Sequence, residues 1–232
     1  MGHMRFVLTG TQRSGLAAVS AQLDAIPGVV CHPFSLLSPD RVERRRYCLD
    51  WFGHDVCFDP EKHPPGNYLQ HAILDDVPRD GKAIGVVLPA EYIQTRDMYE
   101  WLAEMAEQGD FCVLHVSRNP LEAWVSAQRK PPVVSLEAAA LRAAVDRAES
   151  IRWKIADASG SDFLDVPYDD VCRDIAGVAR RMARYLEVTA DKYQFPCPPY
   201  ASECRPSKDV ADWHKLVSQL SGPSRHYAQN SK

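Results

Sequence analysis

The stretch that decides the fold is residues 5–17, RFVLTGTQRSGLA. An apolar run ends at Gly10, which is typical of a short buried strand followed by a tight turn. The apolar residues beyond the turn recur every three or four positions: Leu16, Val19, Leu23 and Ile26. This spacing predicts an amphipathic helix. Together these features predict a strand, a loop and a helix, the opening unit of an α/β sheet.

The same alternation continues along the chain. Further apolar runs predict strands at residues 29–31, 82–88, 111–116 and 162–166. Helical patterns are found at about residues 41–51, 67–76, 90–107, 120–129, 136–158, 169–186 and 208–220. Strands separated by helices pair in parallel through right-handed crossovers. We therefore expect a three-layer, doubly wound α/β sheet of mainly parallel strands flanked by helices, P-loop-like, in a single domain at residues 4–232. Residues 1–3 are expected to be a cloning remnant.

Composition excludes several classes of protein. The 232 residues carry 27 Lys and Arg against 31 Asp and Glu, a net charge of −4, with 45% hydrophobic residues. This is ordinary globular composition, and it excludes disordered and collagen-like chains. A slightly acidic protein has no general basic field, so we expect no nucleic-acid or membrane partner. The sequence has no run of 18 apolar residues and no signal-peptide pattern, which favours a cytoplasmic protein. Assembly into a homo-oligomer stays open.

Cysteine usage indicates reduced thiols and no metal. The seven cysteines contain no C-x-x-C pair, and an odd number without a secretion signal argues against a disulfide framework. Cys48, His54, Cys57 and His63 lie close in sequence, but their spacing fits no familiar zinc arrangement. We therefore expect no metal site.

The loop at residues 10–15, GTQRSG, has the G-x-x-x-x-G skeleton of a phosphate-binding loop. Its backbone N–H groups and the N-terminus of the following helix favour an anion. The Lys and the Ser or Thr that follow this skeleton in nucleoside triphosphatases are replaced by Leu16 and Ala17, so no side chain there binds Mg²⁺. A glycine-rich turn of this kind also occurs in α/β proteins that bind no ligand.

A second informative stretch is residues 111–130, FCVLHVSRNPLEAWVSAQRK. Arg118 follows a buried-strand pattern directly, and Asn119 and Pro120 mark the start of a helix. Ser126 stands two turns into that helix. A third stretch, residues 163–171, FLDVPYDDV, again joins a strand to a helix and carries Tyr168.

These three stretches, in this order, resemble the sulfotransferases that use 3′-phosphoadenosine 5′-phosphosulfate (PAPS). The resemblance implies that the first loop binds the 5′-phosphosulfate, with Leu16 and Ala17 contributing only their backbone. It implies that Arg118 and Ser126 bind the 3′-phosphate, that Lys130 adds a basic contact and that Tyr168 lies near the adenine. The implied loop residues are Gln12, Arg13, Ser14, Gly15, Leu16 and Ala17. On this hypothesis Arg13 and Arg118 hold opposite ends of one nucleotide.

The implied reaction is in-line transfer of a sulfuryl group from PAPS, the co-substrate, to the hydroxyl of a small acceptor, without a metal. Arg13 would stabilise the bridging oxygen electrostatically, because a guanidinium has too high a pKa to donate a proton. Bacterial members often carry a Glu after the second strand, and this chain has none there. His32, at the end of the second strand, is therefore our candidate general base. His54, His63 and His71 are rivals in the variable region, and His115 suits the role less because it lies within a buried strand.

The acceptor-facing segments are expected at residues 34–80 and 190–206, which connect strand ends and contain several aromatic residues. Two other functions stay open at this point. One is a small-molecule kinase with a degenerate P-loop, which would require ATP and Mg²⁺. The other is a sulfotransferase-like pseudoenzyme that binds the nucleotide without turnover.

Overall fold

Five strands form one parallel sheet in the described part of the chain. The computed structural model describes residues 3–33, 42, 65–74, 82–109, 111–127, 138–189, 213–220 and 222–230. The strands are β1 (Met4–Gly10), β2 (Val29–His32), β3 (Ala83–Pro89), β4 (Phe111–Ser117) and β5 (Phe163–Pro167). Their order across the sheet is β2-β3-β1-β4-β5, and every pairing is parallel. The expected P-loop-like, doubly wound α/β fold is confirmed.

The central strands are buried on both faces, which explains their continuous apolar sequences. All residues of β3 from Ala83 to Leu88 are buried. Gly85 is required within this strand, because a Cβ there would overlap the buried ring of Phe6 on β1. The glycine thus leaves room for the Phe6 ring directly across the strand pair.

Helices cover both faces of the sheet. On one face lie α1 (Leu16–Asp24) and a later helix, Ile175–Tyr185, whose Val178 and Met182 share a core with Val19 and Leu23. On the other face lie the helices Arg96–Glu107 and Ala138–Ser159, which contribute Leu102 and Ile155 to a second core. The connections that leave β1 and β3 thus run over opposite faces. They diverge above the carboxyl end of β1, where α/β sheets bind ligands.

The remaining helices complete the chain order. They are α2 (Pro65–Tyr68), which continues as a π-helix at Leu69–Leu74, α3 (Ala90–Ile93), α4 (Arg96–Glu107), α5 (Pro120–Ala127), α6 (Ala138–Ser159), α7 (Tyr168–Arg173), α8 (Ile175–Tyr185), α9 (Trp213–Ser218) and α10 (Gly222–Asn230). The segment α10 has no counterpart among the helices predicted from sequence. Within the described ranges, no helix combines the length and apolar character needed to cross a membrane.

Two helices predicted as continuous are broken, so those predictions are wrong in detail. The segment at residues 90–107 divides at Thr95, whose backbone is extended with ψ 144°. The segment at residues 169–186 divides at Asp174, whose carboxylate accepts a hydrogen bond from the Gly177 amide at 2.8 Å and caps α8. A side-chain cap at Asp174 and an extended backbone at Thr95 therefore interrupt the helical hydrophobic pattern.

Candidate functional site

The loop between β1 and α1 has the geometry of an anion site. Arg13 and Gly15 adopt left-handed backbone angles, with φ 66° and φ 105°. The Gly15 carbonyl accepts hydrogen bonds from the amides of Ala18 and Val19 at 3.0 and 3.1 Å. The N–H groups of the first residues of α1 precede these two amides and have no carbonyl acceptor within the helix. No side chain among the described residues caps the N-terminus of α1, so these donors are available to an anion.

The side chains of this loop differ sharply in exposure. Gln12 and Arg13 are exposed, and so is Ala17, whereas Leu16 is half-buried. Ser14 is fully buried, its hydroxyl has no hydrogen-bond partner, and its amide donates to the Thr11 carbonyl at 3.0 Å. Ser14 therefore presents neither polar group to the crevice in this conformation. The exposed cation of the loop is Arg13.

A carboxylate that the sequence analysis missed lies against the loop. The Gln12 amide donates a hydrogen bond of 2.9 Å to Oε1 of Glu91. Glu91 is in the first turn of α3, directly after β3. Since the carboxyl ends of β1 and β3 lie side by side, with Gly10 paired to Pro89, the carboxylate reaches the loop. The signal that could have found it is an acidic residue immediately beyond a strand, in the sequence Leu88-Pro89-Ala90-Glu91.

Arg118 contacts the same loop from the side of β4. It follows β4, and its Nη1 donates to the backbone carbonyl of Arg13 at 3.0 Å. Its Nε lies 3.6 Å from Oε2 of Glu122, and its guanidinium carbon lies 4.8 Å from the centre of the Tyr168 ring. Only 5% of the Arg118 side chain is exposed. Arg13 and Arg118 therefore lie next to each other, with Arg118 held by internal partners.

An acidic residue stands between the two side chains expected to bind the 3′-phosphate. Arg118 lies two residues before α5, and Glu122 and Ser126 follow it at intervals of four, one helical turn apart on the same side of α5. Ser126 is buried, with 5% exposure. Burial raises the pKa of the Glu122 carboxyl, and Arg118 lowers it in part. Glu122 thus meets the Arg118 cation within the protein.

Tyr168 packs beneath the loop. Its ring is buried, and a Cβ on Gly15 would overlap the ring edge. Burial raises the pKa of the Tyr168 hydroxyl, which is also hydrogen-bonded to Cys172. The ring therefore connects Gly15 to Arg118 and fixes the height of the loop above the sheet.

A pocket rich in charged groups opens beside Arg118, and we call it the polar pocket. Its volume is about 180 Å³. It is lined by Thr11, His115, Val116, Ser117, Arg118, Asn119, Pro120, Ala148, Glu149, Arg152, Asp165, Pro167, Tyr168, Asp169 and Tyr227. Arg152 and Asp165 form an ion pair at 2.9 Å, and Tyr227 of α10 is hydrogen-bonded to Glu149. The Asn119 side chain also donates to the Tyr227 carbonyl at 2.9 Å, so α10 closes this pocket.

His115 lies at the bottom of the polar pocket. It is 3% exposed, stacks on Phe163 with ring centres 5.7 Å apart, and its Nδ1 has no hydrogen-bond partner. Burial lowers the pKa of His115 to about 4, with Asp165 opposing and Arg152 adding to the shift. The imidazole is therefore neutral at pH 7.

This shift predicts a loss of stability in acid. Between about pH 6.5 and pH 4 the unfolded chain binds a proton at His115 that the folded chain excludes, so stability falls as pH falls through this window. The loss attributable to His115 is about 3 kcal/mol. Urea unfolding at pH 7 and pH 4 of the wild type and His115→Gln measures it, with exposed His214→Gln as control. An equal pH dependence in all three proteins would contradict the assignment.

A second, larger pocket adjoins the loop on the side of Glu91, and we call it the apolar pocket. Its volume is about 440 Å³. It is lined by Thr11, Gln12, Glu91, Pro120, Ala123, Trp124, Ala140, Ala143, Ala144, Arg147, Ala148 and Ile151. Thr11, Pro120 and Ala148 line both pockets. The loop therefore stands where a charged cleft and an apolar cleft meet.

Solved structures share this architecture. A sulfotransferase from Alicyclobacillus acidocaldarius is similar over 99% of this chain and 95% of its own, with a TM-score of 0.54 and 14% identity. A sulfotransferase domain of the Synechococcus olefin synthase covers 98% of this chain and 94% of its own, with a TM-score of 0.47 and 14% identity. A sugar kinase from Janibacter is similar over 81% of this chain and 96% of its own, with a TM-score of 0.48 and 14% identity. No protein-family model and no curated protein matches the chain.

The chain has a sulfotransferase-like fold. At 14% sequence identity, this similarity is evidence about the fold only. In the sulfotransferase-like fold of this chain, the β1–α1 loop, Arg118 and Tyr168 come together at the carboxyl edge of the sheet. The sequence predicts all three at this edge, and their contacts with one another come from the structure.

The sulfotransferase-like fold does not bring His32 to the loop. His32 pairs with Val86, whereas the loop begins after Gly10, which pairs with Pro89 three residues farther along β3. At ~3.3 Å per residue this is about 10 Å along the strand, and β2 is two strand positions from β1. His32 is also buried, with 4% exposure. The buried position and the distance argue against His32 as the base, and Glu91 occupies the position by the loop.

Several expected site residues lie outside the described residues. These are Lys130, the rival bases His54 and His63, the side chain of His71, and most of the acceptor-facing segments at residues 34–80 and 190–206. The Cys48–His63 group also lies there. Among the residues that the structure does describe, no three His, Cys, Asp or Glu side chains are grouped as metal ligands would be.

Proposed function

We propose that this chain transfers a sulfuryl group from PAPS to the hydroxyl of a small-molecule acceptor. The observation that carries the proposal is the pair of pockets that meet at the phosphate loop and share Thr11, Pro120 and Ala148. One pocket is charged and the other largely apolar. An enzyme that transfers a group requires two adjoining binding sites, because donor and acceptor must approach the transferred group from opposite sides.

The charged side suits the donor. PAPS carries phosphate groups at both ends of a ribose, and a protein of net charge −4 must neutralise them with placed cations. The exposed Arg13 and the first amides of α1 would hold the 5′-phosphosulfate. In the polar pocket, Arg152 and Asp165 offer the donors and acceptors that a nucleoside requires. Arg118, with Ser126 and Lys130, would meet the 3′-phosphate once Arg118 exchanges an internal partner for it.

The proposed chemistry is a direct displacement at sulfur. The acceptor oxygen forms a bond to sulfur while the bond from sulfur to the bridging phosphate oxygen breaks. The electron pair stays on that oxygen, giving adenosine 3′,5′-bisphosphate (PAP), and the acceptor proton passes to a base. Arg13 stabilises the developing charge on the bridging oxygen, an interaction that strengthens in the transition state.

Ligand binding tests the donor assignment first. At about 100 times its dissociation constant, PAP is expected to raise the free energy of unfolding by roughly 2.7 kcal/mol. ATP with Mg²⁺ should have a much smaller effect, because Leu16 and Ala17 replace the residues that bind the metal. Thermal unfolding with each ligand measures this. Stabilisation by ATP with Mg²⁺ and not by PAP would assign a kinase instead.

Turnover tests the reaction. Transfer of labelled sulfate from PAPS to a panel of alcohols and phenols is expected in the wild type and lost, by roughly a hundredfold or more, in Arg13→Ala. Arg180→Ala, an exposed arginine on α8, serves as the matched control and should keep full activity. Binding of PAP without turnover of any acceptor would assign a nucleotide-binding protein that lacks catalysis.

A further inference from the structure

Glu91 is held where the loop and the apolar pocket meet. Its Oε1 accepts the Gln12 amide hydrogen bond at 2.9 Å, and its side chain also lines the pocket. A carboxylate in this position has a second oxygen available for a hydroxyl that enters from the pocket side. The same loop amide fixes the carboxylate relative to the phosphate site, which is the geometry a general base requires.

The walls of the apolar pocket suit a flat aromatic body. Trp124 and Pro120 form one side, and α6 presents the other through small residues and Ile151. Trp124 is half-buried, packed against the core beneath α5, so its ring is held in place. Rings stack on a fixed indole face, and small side chains opposite leave room for them. The volume of about 440 Å³ is within the usual range for small-molecule sites.

Arg147 supplies the charge at the rim of this pocket. Arg147 is exposed, and it is the only Lys or Arg among the described residues that line this pocket. None of the described acidic residues forms an ion pair with it. Arg147 lies one helical turn, ~5.4 Å, before Ile151, and Ile151 shares a core with Ala90 and Ile93 of α3, the helix that carries Glu91. A ligand lying along α6 would therefore meet Glu91 at one end and Arg147 at the other.

From these contacts we infer that the acceptor is a hydroxylated aromatic acid, with its hydroxyl against Glu91 and its carboxylate against Arg147. This inference rests on the proposed sulfuryl transfer. Glu91 takes the phenolic proton as the phenolic oxygen forms its bond to sulfur, the bond from sulfur to the bridging oxygen breaks, and PAP leaves with that electron pair. Glu91 is a catalytic residue in this step, and Arg147 binds the substrate without taking part in the chemistry.

A matched pair of acceptors tests the substrate class. 4-Hydroxyphenylacetate and its primary amide have the same ring and hydroxyl, but only the first carries a charge. With PAPS, the wild type is expected to show a kcat/KM roughly fivefold higher for the acid, because an exposed ion pair gives a modest advantage. Arg147→Gln should remove this preference by raising KM for the acid alone. Arg142→Gln, an exposed arginine on the same helix that does not line the pocket, should keep it.

The base is tested by Glu91→Gln. Glutamine can still accept the Gln12 amide hydrogen bond, but it cannot take a proton at neutral pH. We expect kcat to fall roughly a hundredfold for both acceptors, with PAP affinity unchanged. Glu104→Gln, an exposed glutamate on α4, is the control. Full kcat in Glu91→Gln would overturn the assignment of the base.

Calorimetry with PAP-saturated protein separates failure of this inference from failure of the proposed function. Binding of 4-hydroxyphenylacetate that Arg147→Gln weakens and Arg142→Gln does not would support the acceptor site without relying on turnover. Suppose that the wild type binds PAP and sulfates neutral phenols, but that Arg147→Gln leaves the preference for the acid unchanged and Glu91→Gln leaves kcat unchanged. This inference is then overturned while sulfuryl transfer stands. If the protein does not bind PAP at all, the proposed function itself fails.

Discussion

Gly15→Ala is expected to lower the free energy of unfolding by about 3 kcal/mol and to abolish binding of PAP. The backbone at Gly15 has φ 105°, a conformation that costs an L-residue about 1–2 kcal/mol. The added Cβ would also overlap the buried ring of Tyr168, and overpacking of this kind costs about 1–3 kcal/mol. Since Tyr168 also contacts Arg118, movement of the ring displaces the support on both sides of the loop.

Gly109→Ala separates these two contributions. Gly109 also has a positive φ, 79°, but a Cβ there meets nothing within 4 Å. It should therefore lose only the conformational part, about 1 kcal/mol, and keep PAP binding. Urea unfolding of the wild type and both variants provides the comparison. Equal losses in the two variants would show that the Tyr168 ring does not support the loop.

The second large effect is expected for Arg118→Ala. The substitution removes the hydrogen bond to the Arg13 carbonyl, the contact with the Tyr168 ring and the cation facing Glu122. Glu122 is then a carboxylate whose side chain is 12% exposed and which has lost its cation. Breaking a buried ion pair from one side costs about 3–5 kcal/mol, and we expect about 3 kcal/mol here because the atoms of the pair lie 3.6 Å apart.

Double-variant analysis can isolate the charge contribution. Burial already raises the pKa of Glu122, and loss of Arg118 would raise it further. A carboxyl with a raised pKa destabilises the folded state most above that pKa, so the loss in Arg118→Ala should be smaller at pH 4 than at pH 7. Adding Glu122→Gln should restore part of the stability. Arg173→Ala, which breaks exposed contacts with Asp169 and Asp170, should have no measurable effect.

These two residues also show why the site was only partly readable from sequence. The sequence predicts both positions because Arg118 and the loop that carries Gly15 each follow a strand, and parallel strands bring their carboxyl ends to one edge. The partners of Arg118 could not be predicted from the sequence in the same way. The resemblance implies that Arg118 faces a phosphate, and in the structure Arg118 contacts Glu122 four residues later and a carbonyl 105 residues earlier.

The position of the candidate base depends on strand order. The sequence predicts His32 at the end of a strand, but strand order decides which strand ends are neighbours. In the order β2-β3-β1-β4-β5, β3 adjoins β1 and β2 does not. The residue after β3, Glu91, therefore reaches the loop. The local patterns offer a polar residue at or just beyond each strand end, and only the strand order shows which of them adjoins the loop.

The amino-acid sequence by itself determined the alternation of buried strands and helices, the glycine loop after β1 and the position of Arg118 and Tyr168 at strand ends. These follow from hydrophobic period and from the special backbone angles of glycine, which are local properties. Tertiary structure alone decided that Glu91 adjoins the loop, that Arg118 is an internal brace, that α10 closes the polar pocket and that two pockets meet at Thr11. Each of these depends on contacts between residues far apart in the chain, whose geometry is set by sheet order and helix packing.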